Sequence, residues 1–172
     1  MFRAYPRLTK FERQVLPHLD AAYNLARFLM RNDHDAEDVV QEASLRAFRF
    51  FDNFRGENSR AWFLQIVRNT AYTLLKKNRP ADMSVEFDEE IHARAAPMLD
   101  PGISLDRAFD RQTVRAAIEQ LPPEFREAIT LRELQGASYK EIADVAGVPI
   151  GTVMSRLARA RQQLQLILSK TK

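Results

Sequence analysis

The residue types best suited to binding chemistry lie near the C-terminus, in a predicted helix from about Ile150 through Leu168. Helical spacing places hydroxyl and guanidinium side chains at its exposed positions. These are Thr152, Ser155, Arg156, Arg159 and Arg161. A hydroxyl can bond a phosphate or a base, and a guanidinium can form two parallel hydrogen bonds to guanine. The pattern indicates DNA binding, with an arginine-rich face that only contacts solvent as the alternative.

A shorter helix precedes this one, and the pair has the features of a helix-turn-helix. Ser138 and Glu141 form a capping box that opens the first helix. Gly147 suits a left-handed turn, Pro149 suits the start of the second helix, and Val153 is expected to face the core. Such a motif places the N-terminal residues of its second helix at base edges in the major groove. These features favour DNA binding over a plain helical hairpin.

A carboxylate-rich face is predicted on a helix that has Asp35 as its N-cap and ends near Phe51. Asp38 and Glu42 follow Asp35 at i+3 and i+7, with Gln41 beside them, so these groups share one side of the helix. The opposite side is expected to be buried and contains Val40, Ala43, Ala47 and Phe51. An exposed carboxylate face can dock a basic helix of a partner. The alternative is that acidic residues in a first turn complement the helix dipole.

Aromatic and basic residues are concentrated at the end of this helix and in the next one. Six aromatic residues fall within sixteen positions, and they are Phe48, Phe50, Phe51, Phe54, Trp62 and Phe63. Arginines are interleaved with this group. Aromatic faces beside arginines can capture unstacked bases of single-stranded nucleic acid. Because phenylalanines at helical spacing are usually core residues, we expect Arg60, Trp62 and Arg68 to be the contacts.

The organisation of the whole chain is predicted from its hydrophobic periodicity. Apolar residues recur at helical spacing, only five glycines occur, and no valine-rich alternating runs are present, so the fold class is all-α. A third helix is expected to end near Arg79, because Pro80 disfavours helix for the residue before it. We therefore expect two small helical domains, residues 1–80 and 105–172, joined by an acidic linker over residues 81–104.

The distribution of charge agrees with this division. The net charge of +3 is the sum of +5 for residues 1–80, −5 for residues 81–112 and +3 for residues 113–172. Two basic blocks and an acidic bridge are typical of a protein that binds polyanions and has a separate connector.

Several classes of site and location are excluded by composition. The absence of cysteine excludes disulfides, thiolate zinc sites and a cysteine nucleophile. The three histidines (His18, His34 and His92) lack metal-ligand spacing, and the acidic run 88–90 lacks the spacing of a calcium loop. No phosphate-binding glycine loop or nucleophile elbow occurs, so we expect no cofactor, no metal and no catalysis by this chain alone. No apolar run approaches the roughly 20 residues of a membrane span, and the start lacks a secretory signal, so we expect a cytoplasmic protein.

Two groups of motifs resemble one known family. The first group is Asp35-Ala36-Glu37-Asp38-Val39-Val40-Gln41-Glu42, Phe54-Arg55-Gly56, Arg60-Ala61-Trp62-Phe63 and Arg68-Asn69. It resembles the second conserved region of extracytoplasmic-function (ECF) sigma factors of the sigma-70 family. The second group is Leu121-Pro122-Pro123, Ser138-Tyr139-Lys140-Glu141-Ile142-Ala143, and Pro149-Ile150-Gly151-Thr152-Val153 continuing through Arg161. It resembles the fourth region of that family, in the right order and after a short linker.

The resemblance implies a subunit of bacterial RNA polymerase that confers promoter recognition and has no activity of its own. Its expected partners are core RNA polymerase, promoter DNA and an anti-sigma factor that covers both domains. The acidic linker would thread towards the polymerase channels, and the core contacts would be the clamp helices of the largest subunit and the flap. The clamp helices would be bound by Asp35, Asp38, Gln41 and Glu42.

The same resemblance assigns two promoter contacts. The −10 element would be read and melted by Asn53, Arg55, Arg60, Trp62, Arg68, Asn69 and Lys76. The −35 element would be read as a duplex by Tyr139, Lys140, Thr152, Ser155, Arg156, Arg159 and Arg161. Met154 stands where a basic residue is common in the family and Ala158 where a larger one is common, which implies an unusual −35 preference. Residues 1–10 lie outside the resemblance.

Two other functions are compatible with the residues alone. A stand-alone regulator, with a helical sensor domain controlling the helix-turn-helix, would bind duplex DNA tightly without polymerase and most naturally as a dimer. A nucleic-acid-processing enzyme would use the carboxylate face to hold magnesium, and its activity would then depend on Asp38 and on the metal.

Overall fold

The computed structural model describes residues 5–78 and 110–171 of the chain. Every regular element within these two ranges is helical, which confirms the predicted all-α fold. The described residues form two compact units. The linker predicted over residues 81–104 lies outside the described residues. No helix in the described part is both long and apolar enough to cross a membrane.

Within residues 5–78, the first unit contains four α-helices and two short 3-10 turns. The helices are α1 (Pro6–Val15), α2 (Leu19–Met30), α3 (Asp33–Phe50) and α4 (Ser59–Lys77), and the turns are Leu16–His18 and Phe51–Asn53. Helices α2, α3 and α4 pack against one another, with Leu25, Leu29 and Phe63 completely buried between them. Each such side chain contributes about 1.5–3 kcal/mol when it leaves water. This packing holds the long helices α3 and α4, which carry the predicted surfaces.

The start of α3 differs from the prediction. Asn32 is the N-cap: its Oδ1 accepts a hydrogen bond from the Asp35 amide at 2.7 Å, and its Nδ2 donates to the Asp35 carboxylate at 2.6 Å. The prediction of Asp35 as N-cap is therefore wrong. Asp35 lies within the first helical turn, because Asn32 satisfies the backbone amide that a capping residue must take.

The buried side of α3 is rotated slightly from the prediction. Ala43, Ala47 and Phe51 are buried as expected, whereas Val40 is half-buried and Val39 takes its place at 1% exposure. Ala36 completes the buried stripe. Because small alanine side chains line this stripe, the backbone of α3 can approach its neighbours closely.

The second unit is built from α5, α6, α8 and the beginning of α7. The elements are α5 (Arg111–Glu119), α6 (Pro123–Ile129), α7 (Tyr139–Ala146) and α8 (Ile150–Ser169); residues 139–143 of α7 belong to this unit. Helix α6 continues directly into a π-helical segment, Thr130–Leu134. Helices α6 and α8 pack along each other around Phe125, Ile129 and Leu157, which are at most 1% exposed.

The ends of these helices follow local chemistry. Asp110 Oδ1 accepts a hydrogen bond from the Thr113 amide at 2.7 Å and so caps α5. Residues 105–109, at the start of the domain predicted over residues 105–172, lie outside the described range. Pro123 is the first residue of α6, where its fixed φ suits a helix and its missing amide hydrogen is not needed. Gly136, at φ +63°, ends the α–π helix in the left-handed region, where glycine has no Cβ to clash.

Candidate nucleic-acid interface

The local geometry of a helix-turn-helix is present between α7 and α8. The Glu141 amide donates to Ser138 Oγ at 3.1 Å and caps α7 as predicted. Gly147 has φ +68°, and the Val148 amide donates to the Ala143 carbonyl at 3.2 Å, so the chain turns within a few residues. Helix α8 begins directly after Pro149. After this turn, the first residues of α8 form the N-terminal end of the second helix of the motif.

The N-terminal end of α8 carries apolar, small and hydroxyl side chains at its surface. Ile150 is 46% exposed and Met154 is 50% exposed. Thr152 and Ser155 are half-buried, and Val153 is 1% exposed and faces inward, as predicted. Two exposed apolar residues one helical turn apart therefore lie beside two hydroxyls that can bond phosphates or base edges.

The expectation that Arg156 is exposed is wrong. Its residue exposure is 8%, because it lies on the same stripe of α8 as Val153, Leu157 and Ala160, which face the interior. An arginine at such a position packs most of its side chain against its neighbours and offers little surface to a ligand.

Arg161 is also not a freely exposed residue. Its side chain is 13% exposed and its Nη2 donates to Glu133 Oε1 at 2.7 Å. Burial alone would lower the pKa of Arg161, but the hydrogen bond to Glu133 and its charge, with a further hydrogen bond that Arg161 donates to the Tyr139 oxygen, raise the pKa above its ordinary value. Arg161 therefore connects α8 to the π-helical segment and to the start of α7.

Tyr139 and Lys140 lie at the start of α7. The Arg132 guanidinium stacks over the Tyr139 ring, with 4.8 Å from Cζ to the ring centroid. Arg132 Nη1 also donates to the Ala137 carbonyl at 2.9 Å. Lys140 is exposed, whereas Tyr139 is half-buried. The positive Lys140 side chain is thus available to a phosphate, and Tyr139 is held by its neighbours. Arg159 is half-buried on α8.

The carboxylate face of α3 is present at the surface. The side chains of Asp38 and Glu42 are 54% and 50% exposed, and Gln41 is exposed between them. Glu42 forms an i,i+4 ion pair with Arg46 at 2.8 Å. Asp35 differs, because its carboxylate accepts the hydrogen bond from the Asn32 cap. Asp38 also lies 3.7 Å from His34 Nε2. The more exposed groups are therefore the last three of the four predicted ones.

An aromatic stack holds the loop between α3 and α4. The Trp62 ring lies 4.8 Å from the Phe54 ring and 6.3 Å from the Phe51 ring, centroid to centroid. A Cβ on Gly56 would lie 3.1 Å from the Phe54 ring, so glycine allows the loop to pass this close. Asn53 and Arg55 are exposed on this loop. The loop thus presents exposed polar side chains next to a cluster of aromatic rings.

The phenylalanines of this region are mostly internal, as expected. Phe51 and Phe63 are buried, and Phe48 and Phe54 are half-buried. Phe50 is the exception at 50% exposure.

Helix α4 continues the polar surface beyond this loop. The Arg68 guanidinium stacks on Tyr72 at 4.2 Å, and Arg68 Nη1 donates to Asn69 Oδ1 at 3.4 Å. Asn69 and Lys76 are exposed, and Tyr72 is half-buried. Tyr72 was not among the predicted site residues, although its aromatic ring four positions after an arginine is the signal that identifies it. Arg68, Asn69, Tyr72 and Lys76 share one side of α4.

His18 lies where α4 begins. Its Nε2 is 3.4 Å from Ser59 Oγ, with Arg60 as the next residue of α4. Burial and the positive charge of Arg60 lower the pKa of His18. The neutral imidazole is therefore the form that this position favours. Among the described residues, no group of three or more His, Asp or Glu could hold a metal ion.

Comparison with known proteins decides the family. The sigma-70 region 2 model matches residues 15–80, and the sigma-70 region 4 model matches residues 111–164. The chain is 40% identical over 137 residues to the ECF RNA polymerase sigma-E factor of Escherichia coli strain K12, covering 76% of this chain and 72% of that protein. The chain belongs to the ECF sigma factors of the sigma-70 family.

Other relatives of this sigma factor are similar over most of its length. It is 36% identical over 162 residues to the RNA polymerase sigma-H factor of Pseudomonas aeruginosa, covering 90% of this chain and 83% of that protein. It is 36% identical over 166 residues to the ECF RNA polymerase sigma factor SigE of Mycolicibacterium smegmatis. That match covers 95% of this chain and 63% of SigE, so the chain spans less than two thirds of this relative.

Solved structures of related proteins share its fold. The sigma factor RpoE, in complex with the anti-sigma factor NepR from Bartonella quintana, has 30% identity and a TM-score of 0.70, covering 93% of this chain and 97% of that chain. CnrH, in complex with the cytosolic domain of CnrY, has 26% identity and a TM-score of 0.66, covering 94% and 89%. The region 2 match begins at the last residue of α1 and contains α2, α3 and α4, and the region 4 match contains α5, α6, α7 and most of α8.

Proposed function

We propose that this sigma factor binds core RNA polymerase in the cytoplasm and directs initiation at promoters that carry −10 and −35 elements, without catalytic activity of its own. The observation that carries the proposal is the presence of regions 2 and 4 in order on one chain. In this division, residues 1–80 form the region 2 domain, residues 81–104 a linker, and residues 105–172 the region 4 domain.

The polymerase contact is proposed for the exposed face of α3. Asp38, Gln41 and Glu42 present two carboxylates and an amide on one side of the helix, which suits a basic helical partner. Asp35 adds a carboxylate to the same face at the start of α3, where Asn32 Nδ2 donates a hydrogen bond to it. The proposed target is the clamp helices of the largest polymerase subunit, with region 4 contacting the flap.

The −10 contact is proposed for the loop before α4 and one side of α4. The aromatic rings of Phe54 and Trp62, with exposed polar side chains nearby, suit an unstacked nucleobase and its phosphates. The proposed residues are Asn53, Arg55, Arg60, Trp62, Arg68, Asn69 and Lys76. The stacked pair of Arg68 and Tyr72 adds a cationic group whose position is fixed by the ring beneath it.

The −35 contact is proposed for the start of α8 together with the start of α7. Direct contacts with DNA are proposed for Tyr139, Lys140, Thr152, Ser155 and Arg159. Arg156 and Arg161 are proposed to support them from within, since one is buried and the other is bonded to Glu133. In this arrangement, hydroxyl and apolar contacts take a larger share of base reading than the number of arginines suggests.

Control by an anti-sigma factor is part of the same proposal. The RpoE relative is seen in complex with the anti-sigma factor NepR, and that structure matches 93% of this chain. We propose that a protein of this kind covers the polymerase and promoter surfaces until a signal releases it.

The function is tested by run-off transcription with core polymerase and genomic DNA fragments of the organism that encodes the chain. We expect start sites that appear only when the chain is added and that share two upstream elements. The absence of any chain-dependent start site would contradict the proposal. Tight binding of the free chain to one of these duplexes would instead support a stand-alone regulator.

A further inference from the structure

Arg7, in the first turn of α1, makes two contacts with the last turn of α3 and one with the 3-10 turn that follows it. Its Nη2 donates to the Phe48 carbonyl at 2.8 Å, and its Nε lies 2.9 Å from an Asp52 carboxylate oxygen. Its guanidinium also covers the Phe48 ring, with 4.5 Å between Cζ and the ring centroid. One side chain thus joins α1 to the last turn of α3 and to the 3-10 turn that follows.

These contacts stabilise the C-terminal end of α3 and the turn that follows it. The carbonyls of a helix's last turn have few partners of their own, and a cation there also complements the negative end of the helix dipole. The Phe48 carbonyl is such a group, and it accepts from both Arg7 and the Phe51 amide. Asp52 immediately precedes Asn53, so the ion pair sits one residue from the loop proposed to read the −10 element.

A series of contacts between aromatic rings also connects α1 to that loop. Phe11, one turn after Arg7, meets the rings of Phe48 and Phe51 edge to face at 5.2 and 5.4 Å. Phe51 in turn lies against Trp62, which lies against Phe54. A displacement of the 3-10 turn would therefore move the ring stack that carries the loop.

We propose that Arg7 is a positioning residue for the −10 site: it fixes the 3-10 turn Phe51–Asn53 and, through it, the loop and Trp62. This inference rests on the proposed function for its biological meaning. Arg7 lies before residue 15, where the match to sigma-70 region 2 begins. The role is thus supplied by a part of α1 outside the recognised region.

The first experiment uses the free full-length chain and needs no polymerase. Trp62 is the single tryptophan of the chain, so its fluorescence reports on the loop directly. We expect Arg7→Ala to increase acrylamide quenching of Trp62 at a temperature where far-UV circular dichroism shows an unchanged helix content. Arg13→Ala, which removes an exposed arginine from the same helix, is the matched control and should leave the quenching unchanged.

The second experiment uses the holoenzyme and a promoter that the wild-type protein opens. We expect Arg7→Ala to lower the permanganate reactivity of −10 thymines and the affinity for a melted −10 strand by about two- to ten-fold, the size expected for one or two partly exposed hydrogen bonds. Core polymerase affinity and −35 duplex binding should not change. Arg7→Lys should recover part of the loss, because an ammonium keeps the charge but cannot span both acceptors as the guanidinium does.

A double-mutant cycle with Asp52→Ala identifies the contact responsible. The effects of Arg7→Ala and Asp52→Ala should be less than additive, since both remove the same ion pair. Wild-type quenching and wild-type opening for both Arg7→Ala and Asp52→Ala would overturn the proposal, as would an equal defect for Arg13→Ala. If the wild-type holoenzyme opened no promoter, the proposed function would fail, while the Trp62 quenching would still decide whether Arg7 positions the loop.

Discussion

Arg161 Nη2 donates to Glu133 Oε1 at 2.7 Å, which joins the middle of α8 to the π-helical segment after α6. The arginine side chain is 13% exposed and the glutamate 38%, so water screens this pair only partly. Glu133 can reach Arg161 because α6 does not end at Ile129 but continues into the wider π turn. This ion pair thus helps to hold α8, the helix proposed to contact DNA, in place.

Removing Arg161 should therefore reduce stability more than removing an exposed pair. We expect Arg161→Ala to lower the free energy of unfolding by about 1–2 kcal/mol, because it leaves Glu133 and Tyr139 without their shared partner. Thermal unfolding of the full chain measures this. The control is Glu42→Ala, which breaks the exposed pair with Arg46 and should cost at most about 0.5 kcal/mol. Equal losses for the two variants would show that the partly shielded pair of Arg161 and Glu133 stabilises the chain no more than an exposed pair does.

Arg159 should behave in the opposite way, as a DNA contact. Its side chain is half-buried on α8, so part of it stays at the surface beside Ser155. We expect Arg159→Ala to weaken promoter use through the −35 element by about 1–3 kcal/mol if the residue bonds a base. Transcription from paired templates with an altered −35 or an altered −10 element separates the two sites. An unchanged response to both alterations would contradict the assignment of α8 to the −35 element.

Met154 gives α8 an exposed apolar side chain, whereas Arg156 is buried and Arg161 is bonded to Glu133. It is 50% exposed one turn after Ile150, and an exposed apolar group at a base edge can contact the methyl group of thymine. We expect replacement of one −35 thymine by deoxyuridine, which removes only that methyl, to weaken binding by the wild type but not by Met154→Ala. Duplex-binding titrations across the −35 element measure the effect. If no thymine position distinguishes the two proteins, Met154 does not read a base.

Glu42 tests the polymerase surface. Glu42→Ala should weaken core polymerase binding while leaving the unfolding temperature nearly unchanged, because half of its side chain is exposed and its partner Arg46 is also at the surface. Competition for core polymerase against the wild-type chain measures the loss. Glu12→Ala removes an exposed carboxylate from α1 and serves as the control. A collapse of the unfolding temperature for Glu42→Ala would show a structural role instead.

The helices were predictable because their signals are local, and the details that failed are not local. The turn at Gly147 and the cap at Ser138 depend on a few neighbouring residues, and both predictions are confirmed. At Val39 and Val40, two identical side chains stand side by side, so periodicity cannot decide which one faces inward. The cap of α3 was misplaced for a similar reason, because several capping residue types occur between Asn32 and Asp35.

The site was predictable in its residue types and less so in their exposure. A charged residue is expected at the surface, yet Arg156 is buried because its position on α8 falls between inward-facing neighbours. The engagement of Arg161 depends on the π-helical segment, which no periodicity of the sequence signals. The contacts of Arg7 join residues more than forty positions apart, and such pairings are decided by tertiary packing.

His18 should make the stability of the chain depend on pH. In the unfolded chain a histidine takes up a proton near its ordinary pKa of about 6.5. In the folded chain burial and Arg60 lower the pKa of His18, so protonation there requires a lower pH. Between the two values the unfolded chain binds more protons, and the free energy of unfolding must decrease as the pH falls below about 6.5.

We expect His18→Gln to reduce this decrease, since glutamine does not titrate and its amide can still meet Ser59 Oγ. Urea unfolding of the full chain at pH values from 7.5 down to 5.0 measures the slope. His34→Gln, which changes an exposed histidine of α3, controls for histidine removal as such. The slope of the wild type minus that of His18→Gln measures the contribution of His18. Identical slopes for the wild type and His18→Gln would mean that the neutral imidazole at the start of α4 does not contribute to stability.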